Sequence, residues 1–288
     1  MFMPSHDLVV LAGGMSLKIT AFTVEGVPMI KEGDDLAAIL AGLVKLEDDD
    51  IVVFAHTIVS KAEGRRYFLN DIAPTPRAEE LARLNNEDPR FIQQVLNNST
   101  RILMRRPLLV ETVWGNVCIN AGTDRSNTES GYILSLPEDP DGSARRLRDR
   151  LFELTGKRVA VIITDTNGRS FRVGQIGVAV GCAGIAALRD RRGDRDLFGH
   201  ELKITIQAIA DEAAACANML MGEADEGTPI AIIRGYRYLK DDRGVKPSFR
   251  TDEEDIVKRA LLEMVEREER ASKEAIAYGK KPSGVARP

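Results

Sequence analysis

The stretch at residues 162–185, IITDTNGRSFRVGQIGVAVGCAGI, constrains the fold of this chain more than any other. The apolar run that leads into it, residues 159–163, is typical of a buried strand. It ends directly in a group of polar and glycine residues: Asp165, Thr166, Asn167, Gly168 and Arg169. A buried strand that ends in this way holds polar side chains rigidly at a sheet edge. We therefore predict a functional loop here, although a strand followed by an ordinary Asx turn fits the same residues.

Four glycines, Gly174, Gly177, Gly181 and Gly184, punctuate the region around the apolar run that follows, residues 176–188. This run is about thirteen residues long, too short to cross a bilayer, and is better interpreted as a buried core segment. Small residues at steps of three and four positions let two backbones approach closely. We expect this segment to pack under the polar loop and to fix its position.

Length and charge limit the classes of protein to which the chain can belong. A length of 288 residues predicts one large domain or two intimate ones. The net charge of −4, with 29% charged residues, gives no general electrostatic surface for nucleic acid. The arginine-rich segments at residues 145–150 and 189–195 are interleaved with acids and predict solvated faces. The first residues, MFMPSHDLVVLAGG, lack the basic start and long apolar region of a signal peptide, so we expect no targeting or membrane segment.

The three cysteines, Cys118, Cys182 and Cys216, indicate a reducing compartment. They are odd in number, have no CxxC spacing and lie among apolar or small residues. These properties are typical of buried, reduced thiols. The expected location is the cytoplasm.

Hydrophobic periodicity and capping signals predict strands and helices in irregular alternation. Strands or strand-like apolar runs are predicted at residues 17–24, 51–58, 108–113, 159–163 and 231–233. Helices are predicted at residues 36–44 after Asp34 and Asp35, 78–96 with a break near Pro89, 144–155 between an N-cap at Ser143 and Gly156, 202–221, and after a Thr251–Glu254 capping box. Beyond about Glu268 the last helix has almost no apolar face, which predicts an exposed end. No linker separates two halves, so the expected fold class is α+β with interlocked lobes.

Three acid-bearing segments, around Asp124, Asp165 and Glu223, contain the residue types of a hard-cation site. Mg²⁺ and Mn²⁺ prefer oxygen ligands and leave positions open for phosphate oxygens. Metal ions that bridge phosphates neutralise the charge that develops during phosphoryl transfer, and Lys61 or Arg169 would supplement them. Each acid alone also has a plain interpretation. Asp124 follows a glycine as turn residues do, and Glu223 belongs to an acidic loop of the kind that is usually solvated.

Several familiar motifs do not occur in the sequence. Without GxxxxGK[ST], any nucleotide site belongs to a non-P-loop fold. HExxH, GxSxG and the zinc-type spacings of cysteine and histidine are absent too. The histidines His6, His56 and His200 are isolated from one another. His56 ends a predicted strand beside Thr57, where it either touches a ligand or is a satisfied, partly buried histidine.

Six long segments follow one another in the sequence: EGVPMIKEGDDL, VVFAHTIVSKAEGR, GNVCINAGTDRSN, LPEDPDGSA, TGKRVAVIITDTNGRSFRVGQIGVAVGCAGI and LMGEADEGTP. Together they resemble the coenzyme F420-0:L-glutamate ligase family, also called F420 gamma-glutamyl ligases, over residues 17–262. The resemblance implies that GTP phosphorylates the terminal carboxylate of coenzyme F420-0 and that the amine of L-glutamate displaces phosphate from the acyl phosphate. It also implies addition of a γ-linked glutamate to F420-1, two sites for Mg²⁺ or Mn²⁺, and a monovalent cation, K⁺.

The resemblance assigns roles to individual positions of this chain. It implies nucleotide contacts for Gly26, Val27, Pro28, Met29, His56, Thr57, Lys61, Asn127, Met221, Gly222, Glu223, Ala224, Asp225, Glu226, Gly227 and Thr228. It implies a first metal site with Asp124 and Asp165 and a second with Thr166 and Glu223. Asp124, Asp165 and Lys61 are the residues expected to act in catalysis.

The resemblance also implies a two-lobed α+β fold and an intertwined homodimer. Residues 1–16 are then an N-terminal extension, residues 17–265 the ligase domain, and residues 266–288 a polar C-terminal tail. Two other functions would use the same acids: a metal-dependent phosphohydrolase and a non-catalytic nucleotide-binding protein. Dependence of turnover on glutamate separates the ligase from both.

Overall fold

The structure is a computed structural model that describes residues 18–277. The predicted extension, residues 1–16, and the part of the predicted tail beyond residue 277 lie outside this range. The strands are β1 (Thr20–Thr23), β2 (Ile51–Ala55), β3 (Arg66–Phe68), β4 (Ser99–Met104), β5 (Leu109–Thr112), β6 (Val117–Ile119), β7 (Tyr132–Leu134), β8 (Ala160–Arg169), β9 (Arg172–Ala183), β10 (Arg189–Asp190), β11 (Ile206–Gln207) and β12 (Ile230–Arg234). The helices are α1 (Leu36–Leu43), α2 (His56–Ala62), α3 (Pro76–Asn85), α4 (Pro89–Asn97), α5 (Pro140–Thr155), α6 (Ile209–Met221) and α7 (Ile256–Ala277).

A five-stranded mixed sheet with the order β1-β12-β2-β8-β9 forms the centre of the described fold. β2 and β8 run parallel, with Ile51 opposite Ala160 and Ala55 opposite Thr164. β12 is antiparallel to both β1 and β2. Because β2 and β8 are parallel, their carboxyl ends meet at one edge of the sheet, and the loop that enters β12 reaches the same edge.

The central strands are buried on both faces, which explains their nearly continuous apolar sequences. One face, which includes Val52 and Phe54, packs against α1 and α5. The opposite face, which includes Ile51 and Val53, packs against α6. Alternate residues of β8 divide between the two faces in the same way. Burial from both sides fixes the register, because a slip of one residue would exchange the two faces.

A third apolar cluster lies apart from the central sheet and combines α3 and α4 with the small sheet β4-β5-β6. Leu81, Phe91, Ile92 and Val110 are buried in it. The pairs β3-β7 and β10-β11 form two further small sheets. Helices and sheets of this mixture confirm the α+β class, whereas the division into two interlocked lobes stays a prediction. None of the helices within residues 18–277 is both long and apolar enough to cross a membrane.

The predicted strand at residues 51–58 is wrong at its end. β2 stops at Ala55, and His56 begins α2. Ile58 and Val59 are β-branched and favour a strand locally, but both are buried in the core from the helix, so packing decides the conformation. In this helix His56 and Ser60 lie one turn apart, with 3.5 Å between Nδ1 and Oγ.

The polar group at residues 165–169 lies inside a strand and not in a loop, which corrects the prediction. β8 continues to Arg169, and β9 pairs with it antiparallel up to Arg172. The glycine-rich run is therefore largely β9 itself, beside the polar residues and not under them. Close approach of backbones is confirmed, since a Cβ on Gly177 would lie 2.6 Å from the backbone oxygen of Ala214 in α6.

The first residues of helices α5 and α6 differ from the prediction. The N-cap of α5 is Asp139, whose side chain accepts from Gly142 N, and Ser143 lies inside the helix. Pro140 takes the first helical position, where its missing N–H costs nothing. α6 begins at Ile209 and not at residue 202, because β11 occupies part of the segment between them.

Several predicted ends are confirmed. Asp35 caps α1 through Ala38 N at 3.0 Å, and Gly156 ends α5 in the left-handed conformation. The reciprocal capping-box bonds between Thr251 and Glu254 are present, one turn before α7 begins. That last helix continues to Ala277, and Glu269 pairs with Arg77 at 2.5 Å. The boundary between domain and tail at residue 265 stays a prediction.

Candidate active site

A cavity of about 970 Å³ opens at the sheet edge where β2 and β8 end. Its walls come from the segment after β1, the start of α2, the loop before β7 and the loop between α6 and β12. The predicted site residues that line it are Val27, Pro28, Met29, His56, Thr57, Lys61, Asp124, Asn127, Asp165, Thr166, Met221, Gly222, Glu223, Ala224, Glu226, Gly227 and Thr228. Gly26, Asp225 and Arg169 are not among the lining residues. The three acid-bearing segments thus meet at one cavity.

His56 and Asp165 form the buried side of this cavity. Each follows a residue of the last pair in the β2–β8 ladder, Ala55 and Thr164, so the two are neighbours at the edge. His56 Nε2 lies 3.3 Å from Asp165 Oδ1, and the histidine is only 6% exposed. The backbone N–H of Thr166 donates to the same oxygen at 2.7 Å. In this structure His56 contacts the acid, and its contact with a nucleotide stays a prediction.

Thr166 and Glu223 are joined directly across the cavity. The Thr166 hydroxyl donates to Glu223 Oε1 at 2.9 Å. The side-chain amide of Asn218, in the last turn of α6, donates to Glu223 Oε1 at 2.5 Å and to Thr166 Oγ1 at 3.3 Å. Strand β8, helix α6 and the loop after it are therefore tied together at these three polar groups.

Asp124 lies on a loop that reaches the cavity through an isolated bridge with Leu134. Its Oδ1 accepts from Arg125 N at 2.6 Å, and its Oδ2 accepts from the Ser126 hydroxyl. Gly122, at a positive φ of 64°, makes the approach to β8 possible: a Cβ there would overlap Leu136 and lie 3.3 Å from Asp165 Oδ2. The loop is therefore held close to the acid of β8 by a position that requires glycine.

Cationic side chains lie at one side of the cavity. Burial lowers the pKa of Lys61, partly offset by the charge of Glu129, while Arg66 lowers it further. Arg66 Nη1 donates to both carboxylate oxygens of Glu129 at 2.8 Å, and its guanidinium stacks on the Tyr132 ring. None of Asp124, Asp165 and Glu223 has a lysine or arginine at ion-pair distance within residues 18–277.

The oxygen donors fit a hard cation by their chemistry. Carboxylates and a hydroxyl are the ligands that Mg²⁺ and Mn²⁺ prefer. The Thr166 hydroxyl and Glu223 are in contact, and Asp124 and Asp165 line the same cavity. No group of three or more histidine, cysteine, aspartate or glutamate side chains in the described chain is close enough to hold a metal ion. Such pairs suit ions that complete their coordination with water and phosphate oxygens.

Several lining residues were not predicted. They are Ile30, Lys31, Glu32, Ala55, Ile58, Gly64, Arg66, Ser126, Thr128, Glu129, Thr164, Gln175, Asn218 and Pro229. Gln175 belongs to β9 and enters because it pairs with Gly168 of the strand that carries the acids. Asn218 lies in a mostly apolar helix, and a lone amide in the last turn of such a helix is the signal that would have found it.

The fold and cavity define a class: an α+β protein whose non-P-loop site combines oxygen donors with lysine at the edge of a mixed sheet. The sequence profile described as F420-0:Gamma-glutamyl ligase matches residues 26–235. The chain belongs to this family.

Curated relatives agree with the family over most of their length. The coenzyme F420:L-glutamate ligase of Archaeoglobus fulgidus is 48% identical over 246 residues, covering 85% of this chain and 98% of the relative. The ligase of the same name from Methanosarcina mazei is 47% identical over 85% of this chain and 97% of its own. That of Methanopyrus kandleri is 50% identical over 74% and 87%.

Proposed function

We propose that this chain joins L-glutamate to coenzyme F420-0, with GTP as the phosphoryl donor. The observation that carries the proposal is the cavity, at which acids from three distant segments meet beside Lys61. Relatives that bear the name coenzyme F420:L-glutamate ligase, identical at nearly half of the aligned positions, support it. The same site would add a γ-linked glutamate to F420-1.

The nucleotide would lie along the segment after β1 and the loop between α6 and β12. The residues proposed to contact it are Gly26, Val27, Pro28, Met29, Thr57, Lys61, Asn127 and residues 221–228. His56 is proposed to act on Asp165, which its ring contacts, and its nucleotide contact stays a prediction. The loop is ordered by its own contacts: Thr228 Oγ1 donates to Met221 O at 3.2 Å, and Ala224 N donates to Glu226 Oε2 at 2.8 Å. Gly222 and Gly227 both have positive φ, which lets this short loop turn twice.

Two divalent ions, Mg²⁺ or Mn²⁺, are proposed at the two oxygen pairs. Asp124 and Asp165 would hold one, and Thr166 and Glu223 the other, with K⁺ as a further cation. When bound, such ions neutralise charge on the triphosphate during transfer. The Thr166 N–H donates to Asp165 Oδ1 and the His56 ring lies 3.3 Å from the same oxygen, and these two contacts fix the direction of the carboxylate.

The chemistry proceeds in two steps that balance. The terminal carboxylate of the acceptor attacks the γ-phosphorus of GTP, the bond to GDP breaks, and an acyl phosphate forms. The amine of L-glutamate then attacks the acyl carbon, the amide bond forms, phosphate leaves, and the amine releases a proton. Lys61 would bind phosphate oxygens through its ammonium group, and the burial that lowers its pKa strengthens that attraction.

A homodimer is proposed from the hairpin that β10 and β11 form. The segment between the two strands, residues 191–205, presents Leu197, Phe198 and Ile204, all almost fully exposed. A cluster of exposed large apolar side chains on one projecting hairpin is typical of a protein–protein interface. Sedimentation of the wild type and of a Leu197→Ser, Phe198→Ser variant tests this, and a wild-type monomer would reject the dimer.

The ligase proposal is tested by leaving out one reactant at a time. Purified protein with GTP, Mn²⁺, L-glutamate and coenzyme F420-0 should release phosphate and form the amide only when all four are present. Phosphate release without glutamate would instead indicate a phosphohydrolase. GTP binding without any product would indicate a non-catalytic nucleotide-binding protein.

A further inference from the structure

The contact between Asn218, Thr166 and Glu223 has a geometry that packing alone does not require. One amide donates to both oxygens, and the two oxygens are themselves 2.9 Å apart. Glu223 is exposed, so water can solvate its carboxylate, and a contact with the end of a helix adds little to stability. The three groups therefore form one hydrogen-bonded unit.

The unit depends on how closely α6 approaches β9. Gly177 pairs with Thr166 in the ladder, so both lie on the same face of the ribbon. A Cβ at Gly177 would stand 2.6 Å from both the Asn218 Cβ and the Ala214 backbone oxygen. The absence of a side chain at this one position lets the last turn of α6 bring Asn218 within reach of Thr166.

We propose that Asn218 is a positioning residue that holds the Thr166 hydroxyl and the Glu223 carboxylate together as a ready-made pair of ligands for a divalent cation, with Gly177 as the position that permits it. This inference rests on the proposed function, since it concerns the same site. Because Asn218 uses Thr166 Oγ1 and Glu223 Oε1 only as hydrogen-bond acceptors, the second carboxylate oxygen and a hydroxyl lone pair remain for the ion. The amide also fixes the two ligand side chains before the ion binds, so that the ion does not have to order them itself.

The alternative is that Asn218 merely closes the end of α6 and stabilises the loop. Its backbone oxygen does accept from Gly222 N at 3.2 Å, but that bond needs no amide side chain. A purely structural role would appear as a loss of thermal stability in a variant without the amide. A positioning role appears as a loss of metal affinity in a protein that remains equally stable.

The experiment titrates the wild type, Asn218→Ala and Asn218→Leu with Mn²⁺ alone, following free Mn²⁺ by electron paramagnetic resonance. Both variants remove the amide, and leucine keeps the branched shape and the number of side-chain heavy atoms. Met219→Ala is the matched control, because Met219 is the next residue of α6 and is 79% exposed. We expect both Asn218 variants to bind Mn²⁺ roughly 10- to 100-fold more weakly, as outer partners of metal ligands do, and the control to match the wild type.

Gly177→Ala gives an independent check and should weaken Mn²⁺ binding in the same direction, since it pushes Asn218 away. The inference is overturned if Asn218→Leu binds Mn²⁺ as the wild type does, or if the wild type binds none.

The melting temperatures of all four variants are measured alongside. If the Asn218 variants lose Mn²⁺ affinity only together with a lowered melting temperature, the role of Asn218 is structural and the inference is overturned as well. Failure of the proposed function is separate: a wild type that binds Mn²⁺ but forms no amide from GTP, glutamate and coenzyme F420-0 would reject the ligase alone.

Discussion

Acidic side chains lie at both ends of the central sheet, and their hydrogen-bond and ion-pair partners differ between the two ends. At the amino end of β2, Asp50 is fully buried, and Arg234 donates to its two oxygens at 2.8 Å each. The backbone N–H of Glu47 donates to Asp50 as well, at 2.8 Å. At the carboxyl end, Asp165 accepts a hydrogen bond from a backbone N–H and lies 3.3 Å from the His56 ring, while Glu223 accepts from a hydroxyl and an amide. Neither acid is paired with arginine or lysine within residues 18–277.

The difference separates an acid held in a buried ion pair from acids that have no arginine or lysine partner within residues 18–277. A bidentate arginine neutralises a carboxylate and occupies its lone pairs, so Asp50 has nothing left to offer a ligand. Hydroxyl, amide and backbone N–H donors orient a carboxylate but leave its negative charge in place, and that charge is available to a cation. Acids of the same sheet therefore have opposite consequences for stability and function, and substitutions at the two ends should show it.

The largest expected effect is loss of activity in Asp165→Asn. Asparagine keeps the size of the side chain but removes the charge that would hold a cation against the phosphates. We expect kcat to fall about 1,000-fold, in the range found when one electrostatic contact to a transition state is removed. The melting temperature should stay close to that of the wild type, because no charged partner is left unpaired. Near-full activity would remove Asp165 from the mechanism.

The second effect is on stability and belongs to the other end of the sheet. Asp50→Ala leaves Arg234 without its buried partner, and removal of one member of such a pair costs about 3 kcal/mol. Denaturant unfolding should show this loss, while kcat per folded molecule stays within about twofold of the wild type, because Asp50 lies at the end of β2 away from the cavity. A stable Asp50→Ala with reduced kcat would contradict the separation of the two ends.

A smaller effect is expected at His56, which orients Asp165 without being a ligand itself. His56→Gln removes the imidazole contact at 3.3 Å but leaves the Thr166 N–H on the same oxygen. We expect kcat to fall roughly tenfold with little change in KM for GTP, since an outer partner of a ligand is lost and not the ligand. Ser60→Ala, which removes only the weaker contact to the far side of the ring, is the matched control. A large rise in KM for GTP would instead support a direct contact between His56 and the nucleotide.

The acid end was accessible to prediction because its signal is local. Asp124, Asp165 and Glu223 each stand in a dense polar segment next to an apolar run, and strands that end in such segments tend to bring them together. The strands buried on both faces were predictable for the same reason, since their apolar runs are continuous. The resemblance to a family then assigned roles to individual residues of these segments.

What escaped prediction depends on distant packing. Residues 56–62 form a helix, although Ile58 and Val59 favour a strand locally, because the helix is the conformation that buries both side chains in the core. Asn218 reaches the site only because Gly177 in β9, far away in sequence, lets α6 pack closely against that strand. In the sequence Asp50 is one of four consecutive acids, residues 47–50, and only the fold brings Arg234 to it. Contacts between elements far apart in sequence leave no periodic pattern to detect.

The smallest expected effect tests whether the acids or the burial of the core control the neighbouring thiols. Burial is the main cause that raises the pKa of both Cys118 and Cys182 to about 12, while the charge of Asp165 adds to it at Cys118 and that of Asp141 at Cys182. A raised pKa keeps a thiol protonated, so at pH 8 only about one in 10,000 molecules carries either thiolate. Native protein should therefore show no reaction of these two cysteines with a disulfide reagent until denaturant is added.

Peptide mapping of the labelled protein identifies which thiols react. Because burial outweighs the charge of the acid, Asp165→Asn should leave Cys118 as unreactive as in the wild type, even though the same variant abolishes most of the activity. Half-buried Cys216 serves as the internal comparison. Rapid labelling of Cys118 in native Asp165→Asn would show that the acid at the carboxyl end, and not the packing beneath it, protects the thiol, and the two ends of the sheet would then differ in more than the pairing of their acids.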